Sequence, residues 1–130
     1  MCENILSFGL DLGACVRIAK EYGVKLASGT DYIQREQHGR NLEEVLLMHQ
    51  AGLTVEEALL AATAGGAELC GVDDELGRLE AGYLFDAAVL EGDPGDLSGF
   101  AEPGAVAGVF RSGRPVLPHP RLTSTPLVVA

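Results

Sequence analysis

Residues 24–31 constrain this chain more than any other stretch: Val24, Lys25, Leu26 and Ala27 lead into the small residues Ser28, Gly29 and Thr30, and then into one carboxylate, Asp31. A short, mostly apolar run bounded by turn residues reads as a buried strand when helices flank it. Upstream, Leu12, Cys15, Val16, Ala19 and Tyr22 recur at helical spacing over residues 11–22, and Gly23 supplies a stop. Helix, glycine, short buried strand is the rhythm of an α/β protein. The expectation is a strand over residues 24–28 that ends on an acid.

Downstream, residues 32–40 are polar and without periodicity, so they read as a loop. Asn41 with Glu44 three residues on resembles a capping box, and Leu42, Val45, Leu46 and His49 then share one helical face up to Gly52. Thr54 with Glu57 starts a second helix, whose stripe is Val55, Ala58, Leu59, Ala62, Gly66 and Leu69. Its alanines and glycines imply close packing on a neighbour.

After Gly71 the texture changes to glycine turns between short apolar pieces. Residues 87–90 read as a strand broken by Gly92-Asp93-Pro94. Residues 105–111 and 114–117 read as two strands joined at Ser112-Gly113, a hairpin turn. The tail after Pro118 ends in Pro126-Leu127-Val128-Val129-Ala130, either a further strand or a disordered end. The organisation is therefore a helical part, 1–71, and a β part with its tail, 72–130.

Composition excludes several functions. The chain has 130 residues, 47% hydrophobic, with nine basic and nineteen acidic residues and a formal net charge of −10. Nucleic acid is an unsuitable partner, because phosphate recognition needs clustered Lys and Arg. No run reaches the roughly 18 apolar residues of a membrane span. Residues 1–12 lack the basic start of a signal peptide. Cys2, Cys15 and Cys70 are odd in number and scattered, which suits free thiols in a reducing, cytoplasmic setting.

A carboxylate just past the C-terminal end of a strand lies where α/β folds build active sites. The small residues before Asp31 let a ligand or metal approach the backbone. Such an acid can bind a divalent metal or take a proton from water. The same residue can equally cap a turn or a following helix, and spacing alone leaves both readings open.

Five motifs nevertheless stand in a familiar order: Gly29-Thr30-Asp31; Ala51 to Thr63 as AGLT-x-EEAL-x-AAT; AEL-x-G at 67–71; LG-x-L-x-AG at 76–82; and D-x-x-VL-x-GDP at 86–94. Together they resemble the C-terminal part of the amidohydrolase superfamily, in its imidazolonepropionase-like and prolidase-like branch, over about residues 20–117. The resemblance implies an α/β fold: the last strand and helices of a distorted TIM barrel, followed by part of a small β-sandwich. Residues 24–28 would be the eighth barrel strand. Asp31 would bind the catalytic divalent metal, expected to be Zn2+, and handle the proton of the attacking water. His38, in the loop that rims such a site, would contact substrate, or else is a solvated loop histidine. His49 reads as a core or interface histidine, and His119 is given no role. Thr30 is placed to hydrogen-bond Asp31. Tyr32 and Arg35 are candidates for a substrate carboxylate, and Asp86 reads as structural.

The implied activity is hydrolysis of an amide or cyclic amide C–N bond in a small-molecule or dipeptide-like substrate. The family's remaining metal ligands come from earlier strands, and this chain has only three histidines and no H-x-H pair. One carboxylate is short of the three or four ligands of a zinc site, and a complete barrel takes some 200 residues or more. The chain is thus expected to be inactive alone and to need a complementing N-terminal chain or a homo-oligomer. The alternatives are a non-catalytic binding or assembly module, or a gene fragment without function.

Overall fold

A computed structural model describes residues 11–93, 95–102 and 104–117. Cys2, His119 and the apolar end of the tail lie outside the described residues.

Four helices form the first half: α1 (Leu12–Glu21), α2 (Glu43–Gln50), α3 (Val55–Ala62) and α4 (Ala64–Cys70). α1 ends as the sequence implies. Gly23 takes φ 66, and the N–H groups of Gly23 and Val24 donate to the carbonyls of Lys20 (3.1 Å) and Ala19 (2.8 Å). α3 begins with the expected reciprocal box: Glu57 N–H donates to Thr54 Oγ1 at 3.1 Å, and Thr54 N–H to Glu57 Oε2 at 2.7 Å. At α2 the expected box is absent. The Asn41 amide donates instead to Thr30 Oγ1, and Leu42 already has helical angles ahead of α2.

Three further expectations are corrected. The single helix after Thr54 is two, broken at Thr63 (φ −124, ψ −95). The Thr63 hydroxyl donates to the Leu59 carbonyl at 2.8 Å, a local bond that competes with the helical ladder. Leu69, expected on the buried stripe, is 78% exposed. Residues 24–28 form no strand: Val24 is 57% exposed and Leu26 to Ser28 are half-buried. A strand needs a neighbour to satisfy its backbone groups, and among the described residues none pairs with it. The segment rides on helices instead. Ser28 N–H donates to the Ala61 carbonyl at 3.0 Å. Gly65 lies so close to this segment that a Cβ there would stand 3.0 Å from the Leu26 carbonyl oxygen. The close packing implied by the small residues is therefore real, but its object is this segment's backbone.

In the second half, β1 (Ala87–Leu90), β2 (Val106–Arg111) and β3 (Arg114–Leu117) form an antiparallel sheet in the order β1-β2-β3. Ala87 pairs with Phe110 and Arg111 with Arg114, while register irregularities fall after Val89 and Val109. Ser112 (φ 48) and Gly113 (φ 76) are both left-handed, as a two-residue hairpin turn matched to the strand twist requires. Asp86 pins this turn by accepting from Ser112 N–H at 2.6 Å, so its structural reading holds. Phe85 meets Phe110 edge to face at 5.3 Å.

One core cluster sits among the helices: Val45, Met48, Leu53, Ala58, Ala61 and Leu97. Leu97 belongs to a 3₁₀ turn (Leu97–Ala101) between β1 and β2, so the β half inserts Leu97 into the helical core, with half-buried Phe100 of the same turn packed against it.

Candidate functional site

The bend after residues 24–30 is where the candidate chemistry sits. Asp31 takes φ 47, one of two non-glycine residues with positive φ among those described. Asp tolerates this region better than most residues. Asp31 is exposed. Among the described residues, none donates a hydrogen bond or ion pair to its carboxylate. The turn-capping reading of Asp31 therefore finds no bond here, and the carboxylate is left available to another group.

Its neighbours are held. The bond from Thr30 to Asp31 that the sequence suggested is not made; Thr30 Oγ1 instead accepts from Asn41 Nδ2 at 3.4 Å. Tyr32 is half-buried and donates from its phenol to Glu43 Oε2 at 3.2 Å. Arg40 Nε in turn donates to Glu43 Oε1 at 2.6 Å. Burial first, and the Glu43 carboxylate second, push the Tyr32 phenol above its ordinary pKa. A phenol engaged this way is not turned toward a substrate carboxylate. Glu43 and Arg40 had no place in the sequence reading, although their i, i+3 spacing at a helix start was the signal available.

The other candidates stand apart. Residues 35–37 form a single 3₁₀ turn, with Gln34 N–H donating to Gln37 Oε1 at 3.2 Å. His38 follows it, exposed, with no bond to Asp31. His49 is not in the core: it is exposed, and its Nδ1 lies 2.8 Å from the Leu53 carbonyl. A carbonyl only accepts, so that nitrogen carries the proton.

The described residues do not by themselves fit a metal centre. No three His, Cys, Asp or Glu side chains among them gather into a metal-binding group. A zinc ion takes three or four protein ligands, and Asp31 offers one. Cys15 and Cys70 are free and exposed. No helix among the described residues is long and apolar enough to cross a membrane.

Beside the bend runs an apolar groove of about 440 Å³, lined among others by Val24, Leu26, Leu53, Leu60 and Gly65. Ion pairs flank it: Lys20 with Glu57 at 2.7 Å, and Lys25 with Glu68.

Comparison with known proteins gives a consistent answer. The profile of the amidohydrolase family matches residues 8–116. Imidazolonepropionase from Cupriavidus necator is 36% identical over 104 residues, covering 76% of this chain and 24% of that protein. A solved Xaa-Pro dipeptidase with methionine bound in its active site superposes with TM-score 0.70 at 34% identity, over 79% of this chain and 25% of the other. A putative prolidase from Bifidobacterium longum superposes with TM-score 0.65 at 35% identity, over 81% and 26%. The chain thus spans about a quarter of the length of these relatives. The mixed α/β fold is that of amidohydrolase structures, and this chain belongs to the amidohydrolase family.

Proposed function

We propose that this chain supplies the C-terminal share of a metal-dependent amidohydrolase, and that Asp31 is its contribution to the reacting centre. The observation that carries this reading is the Asp31 carboxylate itself: exposed, unpartnered among the described residues, and turned out on a left-handed bend after Gly29 and Thr30. In the complete enzyme, Asp31 takes a proton from the water that attacks the substrate carbonyl. It returns that proton to the nitrogen as the C–N bond breaks. A divalent metal, Zn2+ in this reading, would be held by Asp31 together with ligands from outside the described residues, and would supply polarisation of the substrate carbonyl. Substrates are small amides, cyclic amides or dipeptide-like molecules, as the names of the relatives suggest. His38 reaches the substrate from the rim.

Residues 1–71 belong to a distorted TIM barrel in this proposal, with 24–28 as its last strand once neighbours flank it. Residues 72–130 are the C-terminal share of a composite β-sandwich together with the tail. Support comes from the apolar side chains left at the surface of the helical half: Ile18, Tyr22, Val24, Leu60 and Leu69 are each at least half exposed. An unpartnered set of this kind asks for a cover. That cover is a complementing N-terminal portion, and the enzyme works in the cytoplasm.

The test is turnover of amide and dipeptide substrates by the purified chain, alone and mixed with the barrel portion of a relative. The expected outcome is no turnover alone and metal-dependent turnover in the mixture. Asp31→Asn should lower the latter by roughly 10²–10⁴-fold, the usual worth of a positioned acid–base group. Turnover by the chain alone, or a mixture indifferent to Asp31→Asn, would overturn the proposal. A stable, well-behaved chain that binds its complement without turnover would favour a non-catalytic assembly module.

A further inference from the structure

The two non-glycine residues with left-handed backbone are held in different ways. Ser112 sits in a tight hairpin turn beside Gly113, and the Asp86 carboxylate accepts from its N–H. That turn demands positive φ. Asp31 has no such local cause. No hairpin strands flank it, and no described residue donates to its carboxylate. A non-glycine residue persists in such a conformation when its surroundings over-determine it.

The surroundings that do so are the residues on either side. Thr30, just before Asp31, accepts from Asn41 Nδ2 at 3.4 Å. Tyr32, just after it, donates to Glu43 Oε2 at 3.2 Å. Both bonds run to the start of α2, from positions two residues apart. Glu43 is itself fixed by Arg40 Nε at 2.6 Å, and only 16% of its side chain is exposed. α2 is anchored below by Val45 and Met48, at 3% and 7% exposure.

We propose that Asn41 and Glu43, with Arg40 behind Glu43, are positioning residues: they clamp Thr30 and Tyr32 to the start of α2, and so hold the Asp31 carboxylate outward in one left-handed conformation. The clamp uses neighbours rather than Asp31 itself, so it orients the acid while leaving both carboxylate oxygens unengaged among the described residues. This rests on the reading of Asp31 as the reacting acid, but its test does not.

The experiment is NMR on the full 130-residue chain, following the HN–Hα coupling and the Cα and Cβ shifts of Asp31, with the amides of Val45 and Met48 as the record of α2. In the unaltered chain, Asp31 should show one left-handed signature. Asn41→Ala combined with Glu43→Ala should lose it, with Asp31 moving to averaged values while Val45 and Met48 stay put. Glu43→Gln keeps an acceptor for the Tyr32 phenol and should restore the signature in place of Glu43→Ala, which a general loosening of the helix would not do. Should the double variant disturb α2, Thr30→Val with Tyr32→Phe removes the same two bonds from the other end and is expected to give the same loss. An unaltered chain without the signature, or an Asp31 unmoved by either pair, overturns the clamp. The effect of Asp31→Asn on turnover in the complemented enzyme tests the catalytic reading separately, since neither result there alters these signals.

Discussion

The helical half and the β half satisfy their backbones in opposite ways. In the β half each described strand finds its partner close by in sequence. β2 and β3 are joined by two residues, and β1 pairs with β2. In the helical half residues 24–28 have the composition of a strand but no partner among the described residues, and they lean on α3 and α4 through Ser28 and Gly65. Local pairing completes a sheet from one stretch of chain, whereas a parallel strand depends on neighbours that are far away in sequence. Asp31, the carboxylate proposed above as the reacting acid, sits on the dependent half. The locally paired half carries structural devices such as Asp86.

Leu97 blurs this division, because it is a β-half residue in the helical core at 3% exposure. Leu97→Ala is expected to have the largest effect, about 2–5 kcal/mol of stability, the usual range for truncating a buried leucine. Hydrogen exchange should show the loss at the amides of α2 and α3, with a smaller loss at the β2–β3 ladder. Equal loss everywhere would mean that the two halves unfold as one unit and that the contrast is one of architecture alone.

Asp86→Ala probes the other half. It removes the acceptor of Ser112 N–H, and an exposed backbone donor of this kind is worth about 1 kcal/mol. The expected outcome is faster exchange across β2 and β3, with unchanged protection in α3. Loss in α3 would show that the hairpin is not self-sufficient.

What could be read from sequence follows the same line. β1 and β3 fall where the alternation and the Ser112-Gly113 turn put them, and the α3 box and the Gly23 stop are as expected, since each depends on residues a few positions apart. The misses depend on distant ones. Residues 24–28 have a strand's composition, but composition does not supply a partner strand. Asn41 has the side chain of an N-cap, but Thr30, eleven positions away, takes its amide. Thr63 could be suspected of breaking a helix only once its hydroxyl is seen on the Leu59 carbonyl. Asp31 was legible as a carboxylate after small residues. Its left-handed backbone and the Tyr32–Glu43–Arg40 chain beside it were not, because they are set by how the loop folds back on α2.

The smallest expected effect comes from two acids of the helical half that are displaced in opposite directions. Glu57 is held below its ordinary pKa of 4.5, first by the hydrogen bond from Lys20 and then by the Thr54 backbone N–H. Glu44 is pushed above 4.5 by burial. For Glu57 the folded value is the lower one, so its stabilisation is present above 4.5 and is lost as pH falls through the depressed folded value. For Glu44 the folded value is the higher one, so ionisation opposes the fold at neutral pH, and that opposition is relieved as pH falls from the raised value toward 4.5. Acidification should therefore first steady the helical half through Glu44 and then weaken it through Glu57. Urea midpoints followed by circular dichroism across this range give the test. Glu44→Gln should raise the midpoint at neutral pH and remove the first step, and Glu57→Gln should remove the second while lowering the neutral midpoint. Both groups lie on α2 and α3, so exchange at the β2–β3 ladder should show neither step. If the ladder follows them, proton binding in one half is felt in the other through the Leu97 contact, and the β half depends on the helical core after all.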